Sequence, residues 1–163
     1  MVKKQKNKAK SSPISKGMII TVAIIAVAIA GGVYYLWNSA IPVNVDHPVF
    51  ATASHVYILA THNDQGYYYD EQSTKTGKKS ISSTNVDPVI HIPQGTLVAL
   101  SVINEDKDTN ADQDLNIDAF KVHTKHLKYF ESQTINFLAD KTGNYPYYST
   151  LHPEMKGTLT VDP

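Results

Sequence analysis

G-N-Y-P-Y-Y-S-T-L-H-P-E-M-K-G-T-L-T-V, residues 143–161, is the stretch whose reading decides how this chain folds. Two short runs, 145–148 and 158–161, flank a turn-rich loop that carries Ser149, His152 and Met155. Short apolar runs parted by turn residues are the pattern of a β-sandwich or barrel. The same pattern extends upstream, with further strands expected at 55–60, 88–92, 96–104, 115–122 and 134–139. No amphipathic helical periodicity interrupts them. The polar stretch 62–85 reads as a hairpin with a long solvated loop. Its Tyr67, Tyr68, Tyr69 triplet is a candidate partner surface, because exposed aromatics are enriched at interfaces.

The N-terminus has a different composition. Residues 1–17 carry six Lys and no acid, and residues 18–37 form a charge-free apolar run. Twenty helical residues rise about 30 Å, enough to cross the hydrocarbon core of a bilayer. The run is longer than a signal-peptide h-region and closes on Tyr34, Tyr35 and Trp37, which suit a membrane interface. A retained single-pass anchor is therefore expected, with the lysine tail in the cytoplasm and the remainder outside. Residues 38–50, with Pro42 and Pro48, read as a linker and 51–163 as the outer domain.

The formal net charge of zero hides a split: beyond the tail, nine Lys face all fifteen acids. An acidic outer domain is a poor nucleic-acid binder, and the basic tail is suited to anionic lipid. The chain has no Cys, so neither a disulfide nor a thiolate ligand is available. No P-loop, G-x-G-x-x-G, H-E-x-x-H or nucleophile motif occurs, and the chain is not expected to be an enzyme by itself.

Three segments resemble the cupredoxin superfamily, in particular membrane-anchored blue-copper proteins and the copper domain of cytochrome oxidase subunit II. They are P-V-I-H-I-P-Q-G-T-L-V-A-L-S-V-I-N at 88–104, Q-D-L-N-I-D-A-F-K-V at 113–122, and 131–149 continuing through His152, Met155 and Gly157. The resemblance implies a Greek-key all-β sandwich preceded by the transmembrane helix. It also implies a copper site of two His, one Cys and an axial Met, falling on Gln113, Ser149, His152 and Met155 of this chain. An alternative register puts Asp118 at the first ligand. Gln113 is preferred because it shares a strand face with Leu115 and Ile117, and an Asp118-Ala119 turn follows. A serine hydroxyl is hard and neutral, so it does not replace a thiolate, and an amide oxygen is a weak donor. The expectation is a degenerate copper site whose polar groups hydrogen-bond one another.

Two other clusters bear on metals. His123 and His126 would point to opposite faces of a strand. The acidic run 106–118 places Asp106, Asp108, Asn110, Asp112 and Asp114 at alternate positions, as in a calcium loop. Yet Ala111 stands where such a loop needs Gly, and Ile117 where it needs a bidentate Glu. The functional expectation is a membrane-tethered accessory or binding module of a membrane redox or copper-handling system. A true copper carrier for electron transfer or delivery, and a calcium-stabilised surface module, are the alternatives.

Overall fold

The computed structural model describes residues 16–72 and 86–163, with side chains for 19–71 and 86–163. The chain divides into a unit ending at Asn38 and a second unit, Ser39–Pro163. In the first, α1 (Lys16–Ser39) is one apolar helix. Its Ile19–Ser39 stretch is 21 residues long with a mean hydropathy of 2.3, which is long and apolar enough to cross a membrane.

The second unit is a two-sheet sandwich with nine strands among the described residues. They are β1 (Ser54–Asn63), β2 (Gly66–Gln72), β3 (Val89–Pro93), β4 (Leu97–Asn104), β5 (Asn116–Ile117), β6 (Val122–His123), β7 (Ser132–Leu138), β8 (Gly143–Tyr148) and β9 (Lys156–Asp162). One sheet has the order β2-β1-β4-β7 and the other β3-β9-β8-β5-β6. β1 runs parallel to β4, and β3 parallel to β9. The remaining pairings are antiparallel.

Strand alternation builds the core. In β3, Ile90 and Ile92 turn inward while His91 turns out. β4 sits between two neighbours, and Val98, Leu100 and Val102 are buried along it. The facing sheet supplies Leu115, Tyr147, Leu159 and Val161. The exposed edge of β7 is capped by the incoming chain: Val43 N–H donates to Asn136 O at 2.9 Å, and the Asn44 amide exchanges two hydrogen bonds with the Leu138 backbone. Residues 43 and 44, read from sequence as linker, are thus docked on the sandwich.

Two sequence expectations change. Residues 115–122 are not one strand. A 3₁₀ turn, Asp118–Phe120, separates β5 from β6 and ends at Lys121 with φ 54°. It delivers the buried Phe120 ring against Phe137 at 5.1 Å and Tyr145 at 4.8 Å, which a straight strand would not do. The first part of the expected long loop is the strand β2, joined to β1 by a tight turn at Asp64-Gln65 with Gly66 at φ 131°. The tyrosine triplet lies in it. Tyr69 is fully buried, and Tyr67 and Tyr68 are half-buried, so the triplet is structural rather than a free partner surface. The rest of that loop, 73–85, lies outside the described residues.

Candidate metal centre

The β8–β9 connection, residues 149–155, folds back onto the segment that leads into β5. Its own closure is local: Ser149 N–H donates to Met155 O at 3.1 Å, and Met155 N–H to His152 O at 2.9 Å. Pro153 occupies the first central position of that second turn, where its fixed φ fits. Opposite lies Gln113, held by a two-bond bridge to Leu127 at 2.9 and 2.7 Å. The loop touches the residues on both sides of Gln113. His152 Nε2 lies 3.1 Å from Asp112 O, and Ser149 Oγ donates to Asp114 Oδ1 at 2.6 Å.

Of the four positions singled out from the sequence, Gln113, Ser149 and Met155 are buried and His152 is half-buried. A carbonyl only accepts, so the Asp112 contact places the proton of a neutral His152 on Nε2 and leaves the lone pair on Nδ1. The ring stacks on Tyr67 with centroids 3.8 Å apart, and the Tyr67 hydroxyl meets Thr109 Oγ1 at 3.0 Å. Asp118, the alternative first position, is exposed on the outside of the sandwich and accepts from the Tyr148 hydroxyl. Gln113, not Asp118, is the residue the loop brackets.

Ser149 is committed on all sides. Besides donating to Asp114, its oxygen accepts the N–H groups of Leu151 at 3.1 Å and His152 at 3.0 Å. Gln113 is the reverse case: neither its amide oxygen nor its nitrogen has a hydrogen-bond partner, although both are buried. The expectation that the four polar groups bond one another therefore needs correcting. Ser149 bonds chiefly to Asp114, and the Gln113 side chain stands outside the network.

Asp114 is the centre that sequence reasoning placed elsewhere. Its carboxylate accepts from Ser149 Oγ, Thr150 N at 3.0 Å, Thr150 Oγ1 at 2.5 Å, Asn116 Nδ2 at 2.9 Å and Leu151 N at 3.4 Å. Burial works against its charge, but the Ser149, Thr150 and Asn116 side chains and the Leu151 N–H outweigh it and hold the carboxyl below its ordinary range. The Tyr69 hydroxyl donates to the Asp114 carbonyl. Burial, and next the Asp114 charge, push that phenol well above its usual range. No spacing rule singles out Asp114 in a run of five alternating polar residues; only the return of the loop from 35 residues away does so.

The acidic residues do not converge. Asp106 is buried and accepts from Thr109 N at 3.2 Å, Ala111 N at 3.2 Å and the Thr109 hydroxyl, with His62 Nδ1 at 2.9 Å. It stabilises its own turn, while Asp114 holds the other loop. Asp108, Asn110 and Asp112 are exposed. His123 bonds to Asn116 Oδ1 at 3.0 Å, and His126 is exposed in the following loop. Among the described residues, no group of three or more His, Asp or Glu is placed to hold a metal ion.

A family model described as a Cupredoxin-like domain matches residues 50–161. The chain belongs to the cupredoxin family. No curated protein sequence matches it. Among solved structures, its cupredoxin sandwich is similar to the McoA multicopper oxidase 2F4 variant from Aquifex aeolicus, at 16% identity over 70% of this chain and 28% of that one, TM-score 0.49. It is also similar to the copper nitrite reductase from Nitrosomonas europaea, at 20% identity over 69% of this chain and 42% of that one, TM-score 0.48. Auracyanin B is similar at 18% identity over 71% and 94%, TM-score 0.46. The chain thus spans less than half the length of the oxidase and of the reductase.

Copper is the metal of the cupredoxin family. A blue site needs a thiolate and two imidazoles around the ion. This cupredoxin has no cysteine, its Ser149 hydroxyl is fully engaged by Asp114 and two N–H groups, and Gln113 offers only an amide. The residues present do not fit a blue copper centre.

Proposed function

We propose that this chain is a membrane-tethered cupredoxin whose copper site is degenerate, serving as an accessory or binding module in a membrane redox or copper-handling assembly. The observation that carries the reading is Ser149: at the thiolate position stands a hydroxyl that spends its proton on Asp114 and its lone pairs on the loop backbone. Such an oxygen is unavailable to a metal. The apolar helix supports tethering, since a helix hydrophobic all round needs an apolar surrounding. The six lysines within residues 1–17 support a cytoplasmic N-terminus and an outward domain. We assign the chain no catalysis of its own.

The test is copper retention by the purified full chain in detergent. After equilibration with excess Cu(II) or Cu(I) and desalting, copper should remain far below stoichiometric; one tightly held ion per chain sinks this reading. A second reading is favoured by the unpartnered Gln113 amide and the free Nδ1 of a neutral His152. In it, His152, Met155 and Gln113 would hold Cu(I) weakly for delivery. Retained Cu(I) that disappears in His152→Ala would support it.

A further inference from the structure

A loop closed by a metal would have its two sides converge on the ion. Here they converge on a carboxylate. Four residues, one from β5 and three consecutive ones from the β8–β9 loop, direct five neutral donors at Asp114. Ser149, at the expected thiolate position, is one of them, its Oγ 2.6 Å from Oδ1. We propose that the Asp114 carboxylate has replaced a metal ion as the element that closes the β8–β9 loop, and that its charge keeps an anionic ligand out of position 149.

The proposal rests on the reading of the copper site as degenerate and adds what took the metal's place. Three features support it. The donors are a matched set: the Thr150 N–H and hydroxyl, the Leu151 N–H and the Ser149 hydroxyl all belong to the turn that would otherwise carry unsatisfied groups. A carboxylate is the strongest neutral-donor acceptor the side chains offer, and it is buried here, where hydrogen bonds to an anion are worth most. Position 149 must donate to Asp114 while accepting two N–H groups, which a hydroxyl does and a thiolate does not. A thiolate at that distance would also set a second negative charge against the first. Ser149 and Asp114 therefore form a pair in which each favours the other.

Two measurements on the full chain in detergent test this. The first needs no variant: amide hydrogen exchange at Thr150, Leu151 and His152 after treatment with chelator. These amides should be protected without metal, and adding Cu(I) or Cu(II) should leave their rates unchanged. Free exchange that slows only when copper is added overturns the proposal. The second compares two designs that restore the family's ligands. Gln113→His with Ser149→Cys should bind copper weakly, and adding Asp114→Asn should tighten binding by roughly tenfold or more and give the intense thiolate-to-copper absorption. Equal affinity in the two designs overturns the exclusion of the anion. The outcomes separate the two readings. Stoichiometric copper in the wild-type chain defeats the degenerate site. Exposed loop amides in a wild-type chain that retains no copper defeat the carboxylate closure alone.

Discussion

Gly157 stands opposite Tyr147 in the β8–β9 ladder, and replacing it with alanine tests whether this end of the sandwich is packed as described. A Cβ built there would lie 2.2 Å from both Cζ and Oη of Tyr147 and 2.7 Å from Cε1. That is about 1.2 Å inside the 3.4 Å at which ordinary contact begins, so the ring has to move. It has no easy retreat. Tyr147 is buried, packs edge-on against Tyr69 with centroids 5.5 Å apart, and donates its hydroxyl to Pro88 O at 2.5 Å. Overpacking of this kind costs about 1–3 kcal/mol. Dragging the hydroxyl away strands a buried carbonyl for roughly 1–3 kcal/mol more. The gain from removing a glycine's chain entropy is only about 0.5–1 kcal/mol. The expected net loss is thus on the order of 3 kcal/mol, a large share of the roughly 5–15 kcal/mol that stabilises a domain. Urea unfolding of residues 39–163, a compact unit by itself, followed by near-ultraviolet dichroism of its tyrosines, measures this directly. In a Tyr147→Leu background the same substitution should cost less than half as much. A Gly157→Ala loss below about 1 kcal/mol, or one unchanged by Tyr147→Leu, refutes the packing argument.

Two further outcomes are expected. Asp106 is buried against charge, yet the Thr109 side chain and N–H, the Ala111 N–H and His62 hold its carboxyl below the ordinary range. A folded value below the unfolded one adds stability that is present above the unfolded pKa and lost as pH falls through the folded one, so acid should weaken the domain. Asp106→Asn should flatten that acid slope in unfolding experiments, and an unchanged slope refutes the assignment. Phe130 is 70% exposed with φ 63°, a conformation costly for a bulky side chain. Its ring meets Tyr129 at 5.9 Å. Phe130→Gly should raise domain stability by about 0.5–1 kcal/mol through relief of strain; a fall of that size in thermal unfolding would show that the ring's contacts outweigh it.

Much of the sandwich was legible because its strands alternate clearly or run as buried β-branched segments, as in residues 88–104. β2 was hidden because Gly66-Tyr67-Tyr68-Tyr69 is followed by acidic and polar residues that resemble loop composition. The turn signal at Asn63-Asp64-Gln65-Gly66, with aromatics of high strand propensity after it, was the available cue. The break in 115–122 was legible only as the Asp118-Ala119 turn that the resemblance suggested, since Phe120 keeps strand-like alternation with Val122 while its ring is aimed by a 3₁₀ turn.

From its sequence alone, the chain determined its all-β second unit, its apolar N-terminal helix, and the absence of a thiolate at position 149. These depend on local periodicity, side-chain volume and atom type, which each residue carries with it. Tertiary structure alone decided that Asp114 organises the loop, that Asp106 serves a different turn, that Tyr67 lies under His152, and that the Gln113 amide is left without a partner. A carboxylate in an acidic run looks like its neighbours until the chain returns to it, because hydrogen bonds are short and directional and their partners here are set by pairing between strands far apart in sequence.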